Sequence, residues 1–182
     1  ATAFLDLTQG LGFARPSRII LDRNLNRQPK RLADLSCAVK KQWPGIRVEL
    51  LANEGCLFQC PFKQAHDAHI SLANLSGTCR RPHTLNRDLG CQATFFYHPE
   101  RFLSSPFIRP EDLGRYEDVA DAVKLCGRSL GPAFLEQAIT AYSQGSFSGN
   151  LIELMDAAFP LSKRFFLDNK RLDPGFWNMV TE

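Results

Sequence analysis

Arg18-Ile-Ile-Leu-Asp-Arg-Asn-Leu-Asn26, read on through Pro29–Trp43 to Ile46-Arg-Val-Glu-Leu-Leu-Ala-Asn53, decides the fold. Arg18–Leu21 is a short apolar run of the kind that forms a buried strand. From Pro29 to Trp43 the apolar residues Leu32, Leu35, Val39 and Trp43 recur at helical spacing. Cys37 lies roughly 140° around that helix from Leu32, off the stripe. Pro44-Gly45 stops the helix, and Ile46–Ala52 is a second apolar run. Strand, helix and strand with short connections predict a parallel βαβ unit, because parallel strands require a crossover.

Outward from this unit, Ala93–Tyr97 and Phe107–Ile108 read as further extended segments. Pro110-Glu-Asp-Leu113 reads as a helix start, with Pro in the first turn and acids after it. Ala122–Leu125 reads as another buried strand. Pro132–Tyr142 reads as a helix with Phe134, Leu135, Ala138, Ile139 and Tyr142 on one face, ended by Gly145. A short helix at 151–158 precedes an irregular tail. Strands alternating with helices predict an α/β fold, a partial or complete (β/α) barrel. A complete barrel takes about 250 residues. The 182 residues therefore read as a single α/β domain, 1–182, either a half-barrel or the C-terminal part of a larger barrel protein. Its apolar strands predict a covering partner chain or a missing N-terminal barrel half.

Composition bounds the function. With 44% hydrophobic and 23% charged residues the chain is neither collagen-like nor disordered. A net charge of +3 argues for neither a membrane surface nor nucleic acid, and leaves nucleic acid open. No apolar run reaches the roughly 18 residues of a membrane span. The opening, Ala1–Gly10, lacks the basic-then-apolar pattern of a signal peptide and has no Met, so a trimmed or longer chain is expected. Six cysteines without a secretory signal predict a reducing, cytoplasmic location, where clustered thiols bind metal or do redox chemistry.

Residues 53–91 read as a long cysteine-rich, metal-binding loop insertion. Cys56-Leu-Phe-Gln-Cys60-Pro61 sets two thiols three residues apart, and Cys79 and Cys91 follow. Four thiolates can hold a [4Fe–4S] cluster or Zn²⁺. The wide Cys56–Cys60 gap and Pro61 favour the cluster, because zinc knuckles prefer Cys-x₂-Cys. Lys63 stands where a radical-SAM site needs a third cysteine. Cys126 can replace Cys79 or Cys91, and Cys37 is read as an ordinary helix residue. His66 and His69 share a face if a helix follows Pro61; His66 is the candidate proton shuttle or metal neighbour. His83 and His98, each beside a Pro, are read as structural.

Polar residues at parallel-strand C-termini face the ligand crevice. Asp22, Arg23, Asn24 and Asn26 follow the first strand, and Asn53 and Glu54 the second. Arg109 follows the Phe107–Ile108 segment, and Lys124 and Arg128 mark the last strand. Glu54 and His66 are the candidate catalytic groups. Asn24, Asn53, Arg109, Lys124 and Arg128 are candidate ligands for a small anionic substrate, through charge-assisted hydrogen bonds.

Four of these stretches, Arg18–Leu25, Val48–Cys56, Ile108-Arg-Pro-Glu-Asp-Leu113 and Val123-Lys-Leu-Cys-Gly-Arg128, together resemble the peptidase U32, collagenase-like family. The resemblance runs from about residue 10 to 145. It implies a barrel whose first strands precede Ala1, and a four-cysteine [4Fe–4S] cluster. It also implies oxygen-independent hydroxylation of quinone precursors or RNA bases, with prephenate as oxygen source, in several members, and peptidase activity in others. Cys56, Cys60, Lys124 and Arg128 match its motifs. The family's cysteine spacing differs, and one of its ligands falls near the Asp-Leu step, where this chain has Gly114. Three functions therefore compete: an iron–sulfur oxidoreductase, a U32-type peptidase or hydrolase, and a non-catalytic zinc-stabilised binding module. No Ser/His/Asp order or His-Glu-x-x-His spacing supports a hydrolase.

Overall fold

The structure is a computed structural model, and residues 2–77, 84–172 and 175–181 are described. Helix α1 (Thr2–Gly10) leads into strand β1 (Arg18–Ile20), helix α2 (Pro29–Gln42) and strand β2 (Arg47–Leu51). Helices α3 (Lys63–Ser76), α4 (Thr84–Asp88) and α5 (Cys91–Tyr97) follow, then strand β3 (Ala122–Lys124). Helices α6 (Pro132–Gln144) and α7 (Phe176–Val180) complete the chain, with short 3₁₀ turns between.

The strands form one open parallel sheet in the order β1-β2-β3. The βαβ reading of 18–52 holds, and α2 closes it as the periodicity requires: Leu32 and Val39 are buried while Cys37 is exposed. In β2, Val48 and Leu50 are fully buried, and Glu49 between them pairs with Arg18 at 2.8 Å. The flanking strands depart from expectation. β1 and β3 alternate exposed, half-buried, exposed, because both are edges of a three-stranded sheet. The sheet is small and open, and among the described residues no further strand closes it. Phe107–Ile108 comes close: Ile108 N–H donates to Ala52 O at 2.7 Å, so this segment lies across the end of β2.

Three other readings change. The 53–91 region is not one loop, since α3 and α4 occupy much of its described part. Ala93–Tyr97 is not extended but belongs to α5. There Cys91 and Phe95, one turn apart, are both buried, and Phe95 stacks on Phe102 with centroids 4.4 Å apart. Helical burial of two apolar residues four apart overrides the β-propensity of Thr-Phe-Phe-Tyr. The start of the chain, given no element above, is a helix docked through the buried Leu5. The core joins Leu32, Val39, Leu50, Phe107 and Ile108 to Leu151–Met155 from the C-terminal segment. No helix among the described residues is long and apolar enough to cross a membrane.

Candidate functional site

The C-terminal ends of β2 and β3 meet at one buried asparagine. Asn53 Nδ2 donates to the carbonyls of Cys126 and Leu154, both at 3.1 Å, and its Oδ1 accepts from Cys126 N–H at 2.6 Å. One side chain thus ties the ends of β2 and β3 to the 151–154 turn. Its own carbonyl accepts from Asp156 N–H at 3.0 Å. Two residues on, the chain must have glycine: a Cβ on Gly55 would lie 2.6 Å from Met155 Cβ. Backbone 53–56 therefore lies directly against 155–158, which brings Asp156 to the cysteine turn.

Arg23, the second residue after Leu21, enters from the end of β1. Its guanidinium pairs with Glu54, donates to Cys56 Sγ at 3.1 Å and lies 3.9 Å from Asp67. Asp67 also pairs with Lys63, which reaches Asp22 at 3.8 Å. Together with Ile20, Leu21 and Leu51 these charges line an open depression of about 340 Å³. The Cys56–Cys60 turn is held from β1 as well. Gln59 takes the left-handed conformation, φ 51°, and its N–H donates to Asn24 Oδ1 at 2.8 Å.

Cys56 and Cys91 are buried, Cys60 is half-buried, and all three are free thiols. Burial pushes Cys56 well up, against the pull of Arg23. Burial also pushes Cys91 up to about 11, with Cys60 adding to it, and Cys91 in turn raises Cys56. Thiols from two chain segments are thus within electrostatic reach of one another. Cys126 is pushed up to about 12 by burial, then by the charges of Asp156 and Glu54. Asp156 rises to about 6, first from burial and then from Glu54. Among the described residues no group of three or more His, Cys, Asp or Glu is set to hold a metal ion. Cys79, the remaining expected ligand, and His83 lie outside the described residues.

The other expected site residues divide. Glu54 is at the depression, on Arg23. His66 is on α3, with Nε2 3.4 Å from Asn86 Nδ2, and His69 is exposed on the same helix. Lys124 and Arg128 are exposed at the end of β3. Arg128 follows Gly127, whose φ is 104° and where an added Cβ would lie 2.1 Å from the Phe134 ring, so no side chain fits there. Asn24 and Asn53 are engaged with backbone groups, so they position the site. Arg109 does not reach the same depression. It is buried in a forked pair with Asp112, at 2.7 and 3.1 Å, and stacks over Phe176. It lines a separate depression of about 380 Å³ with Glu111, Arg115 and Asn169. An acid three residues on, in the same 3₁₀ turn, captures its fork.

Asp156 carries no local sequence signal and reaches the site only through tertiary contact. Arg23 carried a signal, a cation directly after a parallel strand, but not its bond to sulfur.

The chain is 31% identical over 156 residues to an uncharacterized protease of Methanocaldococcus jannaschii. That alignment takes in 85% of this chain and 45% of the relative, so the chain spans less than half of the curated protein it matches. The match is consistent with a U32 peptidase relationship. The four stretches that carry the U32 resemblance supply the three strands and the Arg109–Leu113 step, so the U32-type signature and the strand-end site involve the same residues. No family model matches the chain, and no solved structure does.

Proposed function

We propose that this chain is the cysteine-bearing part of a U32-type iron–sulfur protein acting on a small anionic substrate by oxygen-independent hydroxylation. The observation that carries the proposal is the convergence of Cys56, Cys60 and Cys91, unbridged and electrostatically coupled, with Arg23 donating to Cys56 Sγ. Thiolate donors suit such a cluster, but among the described residues no three of them are set to hold a metal ion, so the reading leans on Cys79 as well. Thiols pushed up by burial are poor ligands as neutral SH groups and release their protons on binding metal. A guanidinium beside a sulfur compensates the charge that four thiolates bring. Cys56, Cys60 and Cys91 would hold the cluster with Cys79, and Cys126 stands as the substitute fourth ligand. When bound, such a cluster supplies one-electron transfer.

The protein's own groups handle the rest. Lys124 and Arg128, exposed at the end of β3, are the cations available to a carboxylate ligand. Glu54 and Asp156 are the groups available for proton transfer beside the thiols. Asp156 suits that task because burial, and then the charge of Glu54, raise it to about 6. Anaerobic reconstitution with iron and sulfide tests the reading. The expected result is a brown protein with visible absorbance and equal iron and sulfide, lost in Cys56→Ser and Cys60→Ser and kept in Cys37→Ser. Stoichiometric zinc with no visible absorbance would instead support a zinc-stabilised binding module. Arg128→Ala is expected to keep the cluster and weaken small-carboxylate binding roughly ten- to a hundred-fold.

A second reading, a peptidase, rests on the name of the archaeal relative. Hydrolysis of gelatin or casein by the metal-free chain, unaffected by Cys56→Ser, would favour it.

A further inference from the structure

We infer that the depression between α1 and α2 is a binding site for a free α-amino acid with an apolar side chain. It lies at the opposite end of the sheet from the cysteine turn. Phe13 and Arg15 precede β1 and Trp43 precedes β2, whereas Asn53–Cys56 follows β2. The site needs no metal and does not depend on the thiols.

Three observations carry it. First, Trp43 lines a depression of about 380 Å³, a volume within the roughly 300–1,000 Å³ of small-molecule sites. Its ring is 6% exposed and is set by the end of α2, where its backbone N–H donates to Val39 O at 2.8 Å. The indole Nε1 has no acceptor. Buried N–H groups are nearly always paired, so an orphan in the wall of a depression calls for an acceptor from elsewhere. Second, the Arg15 guanidinium lies over the Trp43 ring, 5.2 Å from its centroid, and donates through Nη2 to Pro44 O at 2.5 Å. Among the described residues no carboxylate pairs with it. Third, Asp6 lines the same depression and accepts from Gln42 Nε2 at 2.6 Å. Among the described residues no cation pairs with Asp6.

Asp6 and Arg15 are the only charged residues in this lining, and they do not pair with each other. Each keeps its charge for another partner. A simple anion would gain from Arg15 and be repelled by Asp6, and a simple cation the reverse. A zwitterion satisfies both. Its carboxylate matches the planar fork of Arg15, with the Trp43 N–H as a further donor, and its ammonium matches Asp6. Phe13, 65% exposed in the same wall, offers an apolar ring to the side chain.

The test is a titration of the metal-free chain with L-leucine, followed through the two indole N–H resonances by ¹H–¹⁵N NMR and assigned with Trp177→Phe. Trp177 is the internal control, because its Nε1 already donates to Tyr116 Oη at 3.3 Å. The expected result is a saturable downfield shift of the Trp43 N–H with the Trp177 N–H unmoved. N-acetyl-L-leucine lacks the ammonium and L-leucinamide lacks the carboxylate, and each should bind roughly ten- to a hundred-fold more weakly. Asp6 and Arg15 are exposed, so their variants keep the fold. Arg15→Gln should weaken L-leucine by a similar factor. Asp6→Asn should weaken L-leucine and not N-acetyl-L-leucine, which has no ammonium to lose. No shift of the Trp43 N–H at millimolar L-leucine overturns the inference. So does equal binding of L-leucine and its two blocked forms, which would show that the charges are not read. Tighter binding of leucyl-leucine than of leucine would overturn the amino-acid assignment in favour of a peptide. None of these outcomes bears on the iron–sulfur reading, which the reconstitution above tests separately.

Discussion

Helices α2 and α3 are each 14 residues long, and they are held in opposite ways. α2 buries Leu32, Ser36 and Val39 against the sheet, and Ser36 Oγ donates to Val119 O at 2.6 Å. α3 buries no residue at all, and its Leu72 and Leu75 are 64% and 87% exposed. Its first turn is tied down by charge instead: Lys63 to Asp67 and Asp22, and Asp67 to Arg23. The helix that completes the βαβ unit is thus fixed by apolar burial. The helix that leaves the cysteine turn is fixed at one end, by the same charges that line the depression. The scaffold and the site use different physics, and they should fail under different perturbations.

The largest expected difference is in the cores of the two helices. Leu32→Ala should cost about 2–5 kcal/mol, whereas Leu72→Ala should stay within about 0.5 kcal/mol. Urea midpoints measure both, and a comparable loss in Leu72→Ala would mean that α3 is packed after all. Next comes the asparagine that joins the strand ends. Asn53→Ala leaves the Cys126 N–H without its acceptor and should cost about 1–3 kcal/mol by thermal unfolding. Lys124→Ala, exposed at the same strand end, should be nearly silent.

A smaller effect depends on pH. Asp156 is raised from 3.8 to about 6 in the folded chain, first by burial and then by Glu54. The folded state therefore binds the proton more tightly than the unfolded one. That contribution is fully present below about pH 4 and is lost as pH rises through about 6. In the metal-free chain, wild type should lose stability relative to Asp156→Asn across that window. A difference that stays flat from pH 4 to 7 would show that Asp156 is solvated. The smallest effect is at the foot of α3. Lys63→Ala removes two partly exposed ion pairs and should cost about 0–1 kcal/mol, at low salt only. Amide exchange should quicken in α3 and not in α2.

How much of this was legible follows the same division. The βαβ unit was readable because periodicity and burial coincide at Leu32, Val39, Val48 and Leu50. The helix Pro132–Gln144 was readable for the same reason, with Gly145 in the left-handed conformation at its end. Ala93–Tyr97 was misread because short aromatic runs do not distinguish strand from helix, and the stacking of Phe95 on Phe102 settles it. β1 and β3 were read as buried because apolar runs report strand character, while burial depends on how many neighbours the sheet supplies.

The candidate site divides in the same manner. Local sequence determined that cations and amides would stand at parallel-strand ends, that Cys56 and Cys60 would share one turn, and that Cys37 would face away. Each of these depends on residues a few positions apart, whose geometry the backbone fixes. Only the tertiary structure decided that Arg109 turns to Asp112 and Phe176, that Asn53 binds Cys126, and that Asp156 joins the thiols. Asn53 and Asp156 meet because Gly55 lets two distant backbones touch at Met155. Arg23 meets Cys56 because parallel pairing of β1 with β2 brings both strand ends to one edge of the sheet. Such contacts depend on which strands pair and which atoms close the gap, and neither is encoded within any single segment.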